Sequence, residues 1–298
     1  MYLLAHLSDP HLGPLPKPHP LELIGKRAIG FINWRRNRHR IHRLDVLDRL
    51  LHDMKQQKPD HIALTGDLLN IALPAEFSAS RVFLDRLAAP ADLSFVPGNH
   101  DFYVKQAGRY FGAHWGDFMR GDDNAPGVFP YLRRRGPLAL IGLSSAIPTR
   151  PFMATGELGR AQCEALAGLL RSLEGENLFR VVMIHHPPLS KPDHRFKRLI
   201  DAARLRAVLK THGADLLLHG HDHVHSVIML EGPRGKIPAV GVPSASAFGG
   251  GGDPAAYNLY RIEQAADGWR CEAITRGFRR GTEDGAVVEI ARRVLTGK

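Results

Sequence analysis

Seven side chains able to bind a metal stand at five places in the sequence, each place directly after a short apolar run. They are Asp9 and His11 in Asp9-Pro10-His11, Asp67 after Gly66, Asn99 in Gly98-Asn99-His100-Asp101, His185 in His185-His186-Pro187-Pro188, and His221 and His223 in Gly220-His221-Asp222-His223. The set holds two carboxylates, one amide oxygen and four imidazoles, with no thiolate. Mixed oxygen and nitrogen donors suit Mn²⁺, Fe, Zn²⁺ or Co²⁺ rather than a Ca²⁺ or Mg²⁺ cage. The Asp-Pro-His and His-Asp-His pairs are spaced i, i+2, and a turn at a strand end can aim both members into one pocket. Each motif alone has a plainer reading. Asp-x-His is common by chance, Gly-Asn-His-Asp is rich in turn formers, and His-His-Pro-Pro could be an ordinary loop. Independent turns do not account for all five, each placed at the end of an apolar run.

Positioning such residues requires strands that end together. Tyr2–Leu7, His61–Thr65, Leu93–Val96, Phe179–Ile184 and Asp215–Leu218 are short and rich in apolar residues, and read as buried strands. Gly66 and Gly98 sit where the backbone must turn sharply beside a ligand. Between the runs, Ile41, Leu44, Leu47, Leu51 and Met54 form a one-sided helical stripe, as do Leu166, Leu169, Leu170 and Leu173 and, more weakly, Leu205, Val208 and Leu209. Alternating strands and helices predict an α/β fold with a parallel or mixed sheet. After His223 the pattern changes to strands alone (226–230, 237–242, 256–263 and 269–275), which read as a second sheet packed on the first. Gly249–Gly252 reads as a mobile loop. The expected organisation is one domain over 1–275 with an insertion at about 17–43, then a basic tail, 276–298, packed on the domain and ending in a helical piece at Val287–Leu295.

Composition excludes several alternatives. The chain has 298 residues, 44% hydrophobic and 23% charged, which is an ordinary globular balance. Its two cysteines, Cys163 and Cys271, lie far apart, so a disulfide scaffold is not expected. No basic leader precedes an apolar core at the N-terminus, and no run approaches the roughly 18 apolar residues of a membrane span. The net charge of +10 would suggest nucleic acid if it were spread over the chain. Seven positive charges fall between Lys26 and Arg43 with no acid among them, so the basicity belongs to one segment.

The five motifs together resemble the calcineurin-like metallophosphoesterase superfamily, whose pattern is D-x-H, G-D, G-N-H-[DE], H and G-H-x-H. The resemblance covers residues 1 to about 225 and extends through a second sheet to about 275. It implies a four-layer α/β/β/α sandwich of two mixed sheets flanked by helices. It also implies two divalent or trivalent transition-metal ions (Mn, Fe or Zn), the first held by Asp9, His11, Asp67 and His223. The second would be held by Asp67, Asn99, His185 and His221, with Asp67 bridging. His185 is preferred to His186 because it directly follows the strand, although the motif leaves the exchange open. Two cations roughly 3.5–4 Å apart can share a water, lower its pKa and aim it at phosphorus. His100 would then protonate the leaving oxygen or hold the phosphate, with Asp101 orienting it.

Asp9-Pro10-His11-Leu12 and Met183-Ile184-His185-His186-Pro187-Pro188 most resemble bacterial cyclic-nucleotide phosphodiesterases, so the expected activity is hydrolysis of a phosphodiester. The stretch 21–43 is basic, carries Trp34 and interleaves apolar residues, as an interfacial membrane contact does. It could equally cap the site and grip an anionic substrate, with Arg35 and Arg36 as its contacts, or be a solvated basic face. A cytoplasmic protein, peripheral to the inner membrane face, is the matching localisation. Two alternatives stand beside this reading. One is a pyrophosphate hydrolase acting on UDP-diacylglucosamine at a membrane; the other is a nuclease, against which the confinement of charge to one segment argues. A scaffold without catalysis would not need the complete ligand set.

Overall fold

The computed structural model describes residues 1–123, 127–190, 192–249, 252–266, 268–282 and 285–297. Gly250 and Gly251, in the loop expected to be mobile, lie outside them. The first sheet contains β1 (Tyr2–Leu7), β2 (His61–Leu64) and β3 (Leu93–Phe95), parallel to one another. The second contains β4 (Tyr131–Arg135) and β5 (Leu138–Gly142), an antiparallel hairpin, followed by β6 (Phe179–Met183) and β7 (Leu216–His219), parallel to β5. Two more hairpins complete the sheets. β8 (Ser226–Gly232) and β9 (Gly235–Gly241) extend the second sheet, whereas β10 (Ala256–Ala265), β11 (Gly268–Gly277) and β12 (Val288–Thr296) extend the first.

Residue alternation explains how the sheets stack. Leu138, Leu140, Phe179, Val181, Met183, Leu216 and Leu218 join the large core that also holds β1, β2 and β3. Their neighbours Ala139, Ile141, Val182, Ile184 and Leu217 point the other way, onto Cys163, Leu166, Leu170, Leu205 and Leu209 of the helices Gly159–Ser172 and Ala202–His212. The central strands β5, β6 and β7 are thus apolar on both faces, as in sheets covered on both sides. The four-layer α/β/β/α arrangement follows. Among the described residues, no helix is long and apolar enough to cross a membrane.

Three expectations need correction. The strands after His223 do not form a sheet of their own, because each hairpin adds to whichever edge is open: β9 pairs with β7, and β10 pairs with β1. The β4–β5 hairpin was not anticipated, since Arg133, Arg134 and Arg135 mask its alternation. The tail piece expected to be helical is β12, paired antiparallel with β11. Its Val288, Ile290 and Val294 suit a strand, and the open edge of β11 supplies the partner.

The helix Leu44–Gln56 buries Val46, Leu47, Leu50 and Met54, and Asp53 with them. A carboxylate on a buried face needs a partner. Arg276 of β11 supplies it with two short bonds, Nη2 to Oδ1 at 2.7 Å and Nε to Oδ2 at 2.9 Å. Asp53→Ala would leave that guanidinium unpaired. The expected loss is about 2–3 kcal/mol, below the range for a fully dry pair because Arg276 keeps some water contact. Denaturant unfolding checks this; an unchanged midpoint would mean that the pair holds nothing.

Candidate active site

All seven proposed ligands lie in loops just beyond the carboxyl ends of parallel strands, where open α/β sheets collect functional groups. Asp9 and His11 follow β1, Asp67 follows β2, Asn99 follows β3, His185 follows β6, and His221 and His223 follow β7. The loops are zipped together. The N–H groups of Asp9 and His11 donate to the carbonyls of Gly66 and Asp67, both at 3.0 Å, and Gly220 donates to His185 at 3.1 Å. Asp9, His11, Asp67, His221 and His223 all have positive φ, from 39° to 72°. For residues with a Cβ this costs about 1–2 kcal/mol each, and such strain gathers at functional sites. Gly98 is required by the crowding: a Cβ there would collide with the Asp67 carboxylate and come within 2.7 Å of its backbone nitrogen.

Hydrogen bonds outside the cluster decide which atoms face into it. One oxygen of each aspartate is used by backbone: Asp9 Oδ2 accepts from His221 N–H at 3.0 Å, and Asp67 Oδ1 from His100 N–H at 2.7 Å. The other oxygens point inward. Asp9 Oδ1 lies 3.1 Å from His223 Nε2, and Asp67 Oδ2 lies 3.8 Å from His11 Nε2 and 3.4 Å from His185 Nε2. The histidines are oriented in the same way. His11 Nδ1 faces the Leu69 carbonyl at 3.0 Å and His185 Nδ1 the Thr65 carbonyl at 2.7 Å, which turns each Nε2 toward the centre. Asn99 Oδ1 and His221 Nδ1 both stand 3.2 Å from His185 Nε2. His186 is close to His185 and His221, but Ser145 Oγ at 2.8 Å and the Ala154 carbonyl at 3.1 Å engage its two nitrogens.

The electrostatics follow from this packing. Burial alone would raise the pKa of Asp67, but His185 and His100 outweigh it and hold it at about 2. Burial likewise pushes His185 down, and Asp67 beside it raises it to about 10. This carboxylate–imidazole pair therefore keeps a proton that a cation would displace on binding. His11, His42 and His221 are driven well below the usual imidazole range, chiefly by burial, which keeps the proposed ligands His11 and His221 neutral as ligands must be. The buried Nε2 of His221 has no hydrogen-bond partner among the described residues. The donor set thus fits transition-metal ions on chemistry and geometry alike.

The residues expected to act on substrate are distributed differently from the sequence reading. His100 borders the site, with Nδ1 2.5 Å from the Asn70 carbonyl. Asp101 makes no hydrogen bond to His100 among the described residues. Its carboxylate accepts instead from the backbone of Asp67, Gly98 and Leu69, at 2.8, 2.8 and 3.0 Å, bracing the ligand loops. It follows His100 in sequence but points under the loop. Arg35 and Arg36 are exposed, and it is Arg38 that enters the site. Arg38 Nη1 lies 2.8 Å from His100 Nε2 and Nη2 lies 2.8 Å from His11 Nε2. His42 stands over His11 with ring centres 4.5 Å apart, also unanticipated. Nothing in a run of arginines and histidines marks which one turns inward. Contacts made elsewhere do: Arg43 N–H donates to Ser246 O at 3.0 Å and Phe248 N–H to Ile41 O at 2.7 Å, pinning the end of the segment over the site.

The family model for calcineurin-like phosphoesterases matches residues 2–225, which contain every proposed ligand. The chain belongs to that family. It is a hydrolase of phosphoesters, and the family's divalent metal ions have possible ligands in the groups described above. The chain is 29% identical to a probable cyclic nucleotide phosphodiesterase of Synechococcus, over 81% of each chain. It is also 29% identical to a cAMP/cGMP dual specificity phosphodiesterase of Mycobacterium tuberculosis, over 74% of this chain and 62% of that one. Among solved structures, a dimetal phosphatase from Danio rerio shares the fold with a TM-score of 0.65 at 13% identity, covering 97% of this chain and 98% of that one.

Proposed function

We propose that this phosphoesterase hydrolyses phosphodiesters at a two-metal centre. Asp9, His11, Asp67 and His223 would hold one ion, and Asp67, Asn99, His185 and His221 the other. The observation that carries this reading is the position of Asp67 Oδ2, within 3.8 Å of an inward nitrogen from each ligand group. One oxygen in reach of both groups is what a bridge needs. Bound there, a metal pair supplies charge neutralisation and a water of lowered pKa. The names of the two relatives support a diester as the substrate class. A phosphate entering the cavity of about 460 Å³ lined by Asp67, Asn99, His100 and His223 would meet the Arg38 guanidinium. The Arg38 guanidinium would give up His11 Nε2 to a metal ion, and an arriving phosphate would draw it from His100 as well, so that it donates to phosphoryl oxygens. His100 Nε2, released from Arg38 and placed beside an anion, would then take up the proton that it passes to the leaving oxygen.

The ligand assignment has a direct test. His185→Ala should remove about half of the bound metal, whereas His186→Ala should retain both ions, because Ser145 and Ala154 engage its nitrogens. Elemental analysis of the purified variants measures this. The opposite pattern would exchange the two histidines; full metal content in both variants would remove position 185 from the ligand set.

A further inference from the structure

Beside the metal-ligand cluster lies a second and larger cavity, of about 810 Å³, that shares Asn33, Arg38, Asn99 and His100 with the first. The helix Lys26–Asn33 forms one wall, and turns around Phe152 and Phe196 form the other. Ile29, Ile32, Phe152 and Phe196 line it, and they are 37%, 50%, 84% and 49% exposed. Leu21 and Ile24, just before that helix, are also well exposed. A single exposed apolar residue means little, but a group of them around one mouth marks an interaction site.

Phe152 is held there against its own preference. Met153 N–H donates to the Arg150 carbonyl at 3.2 Å, which closes a turn with Phe152 at its third position. Its φ is +64°, the conformation that a type II turn ordinarily assigns to glycine. A bulky aromatic in that region is a backbone outlier, and such outliers persist where surrounding contacts enforce them. Those contacts are present. Lys26 Nζ donates to Thr149 Oγ1 at 2.7 Å and to the Met153 carbonyl at 3.3 Å, and Ala154 N–H donates to the Phe196 carbonyl at 2.8 Å. The basic helix and both aromatic turns are thereby fastened into one frame.

The charges of the segment divide between its two sides. Lys26, Arg27 and Arg38 turn inward onto Thr149, Ile71 and the site histidines. Arg35, Arg36 and Arg40 are exposed and make no ion pair among the described residues, and Arg36 also lines the larger cavity. Outward cations beside exposed aliphatic chains are the surface that an anionic bilayer attracts and wets. A nucleic acid would meet the same cations and could stack on Phe152 and Phe196, but it would gain little from the four aliphatic chains Leu21, Ile24, Ile29 and Ile32, which an acyl chain would cover.

We propose that this cleft receives the hydrophobic alcohol of a lipid phosphoester presented at an anionic bilayer, its phosphate lying in the adjoining cluster. The assignment rests on the phosphoesterase reading above. His100 lines both cavities, so the alcohol departs on the side where the proton is delivered. The test compares butyl, octyl and dodecyl phosphate binding to the metal-loaded protein by calorimetry, below their micelle concentrations. Turnover of bis(p-nitrophenyl) phosphate and flotation with phosphatidylcholine–phosphatidylglycerol vesicles are followed in parallel. Affinity should rise by up to about fourfold for each methylene taken into the cleft. Phe152→Gly, which suits the turn, and Ile32→Asn should each flatten that series and weaken flotation while bound metal stays at the wild-type level. A flat series in the wild type with turnover intact would overturn the cleft assignment alone. So would a single-stranded oligonucleotide that binds more tightly than dodecyl phosphate and is unaffected by Ile32→Asn, which would indicate a nuclease. Absence of metal-dependent turnover would strike the phosphodiester reading instead; a rising series that Phe152→Gly and Ile32→Asn flatten would still support the cleft.

Discussion

Asp67→Asn is expected to lower the turnover of an aryl phosphodiester by on the order of 10²–10⁴-fold and to reduce bound metal. The estimate assigns several kcal/mol of transition-state stabilisation to the charge of the ions, at 1.36 kcal/mol for each tenfold in rate. Asn is the informative replacement because it preserves shape. Its side-chain oxygen can still accept the His100 N–H bond that orients this position, so the loop should keep its conformation. What is removed is the negative charge that the two ligand groups share. Asn70→Ala is the matched control: it deletes one bond, to the Leu12 carbonyl at 2.8 Å, and no proposed ligand. Metal content and rate are read on the same samples, with a chelated wild type beside them. If both the chelated protein and Asp67→Asn turned the diester over at the wild-type rate, the two-metal proposal would be finished.

His100→Asn should separate substrates by their leaving groups. An alkyl or ribose oxygen departs as a strongly basic alkoxide and needs its proton in the transition state; a nitrophenolate departs without one. The expected loss is on the order of 10²–10⁴-fold on an alkyl ester, and much less on a nitrophenyl diester. Both ions should be retained, because His100 contributes only its backbone N–H to Asp67. Burial, and then the Arg38 cation, hold the His100 pKa down to about 3, so the imidazole is neutral before substrate arrives. Moving Arg38 onto a phosphate removes a cation from His100 and adds an anion, and both changes favour the imidazolium. Equal losses on the two substrates would reassign His100 to phosphate binding. Loss of an ion would place it among the residues that hold the metals.

The candidate ligands were legible in the sequence because they sit where local rules are strict. Each candidate ligand beyond a parallel strand is announced by the apolar run before it and, at Asp67, Asn99 and His221, by a preceding glycine that lets the chain turn. Asp9, His11, Asp67, Asn99, His185, His221 and His223 could therefore be named from short windows, and the fold brings them within a few ångströms. The helices with one-sided stripes were legible too, although the buried face of Leu44–Gln56 runs through Val46, Leu47, Leu50 and Met54 and leaves out Leu44 and Leu51. Helix Pro74–Leu87 was not noticed, having Phe77, Ser80 and Leu84 on its buried face rather than an unbroken row of leucines.

Tertiary structure decided what depends on contacts distant in sequence. Residues 226–277 could be read as strands, but not which sheet each hairpin would extend, since that depends on the free edges of β1 and β7. His185 was preferred to His186 for its place directly after the strand, whereas the contacts that engage His186 come from Ser145 and Ala154, more than thirty residues away. The basic segment is the clearest case. Seven cations in a row of eighteen residues look alike as a string. Lys26 latching onto Thr149, and residues 41–43 pairing with 246–248, rotate Arg38 into the site and leave Arg35 and Arg40 facing solvent, with Arg36 along the neighbouring cavity. Sequence thus determined which side chains could do chemistry, through short-range backbone rules. The orientation of each side chain, and so its role, was set by long-range hydrogen bonds that no local pattern encodes.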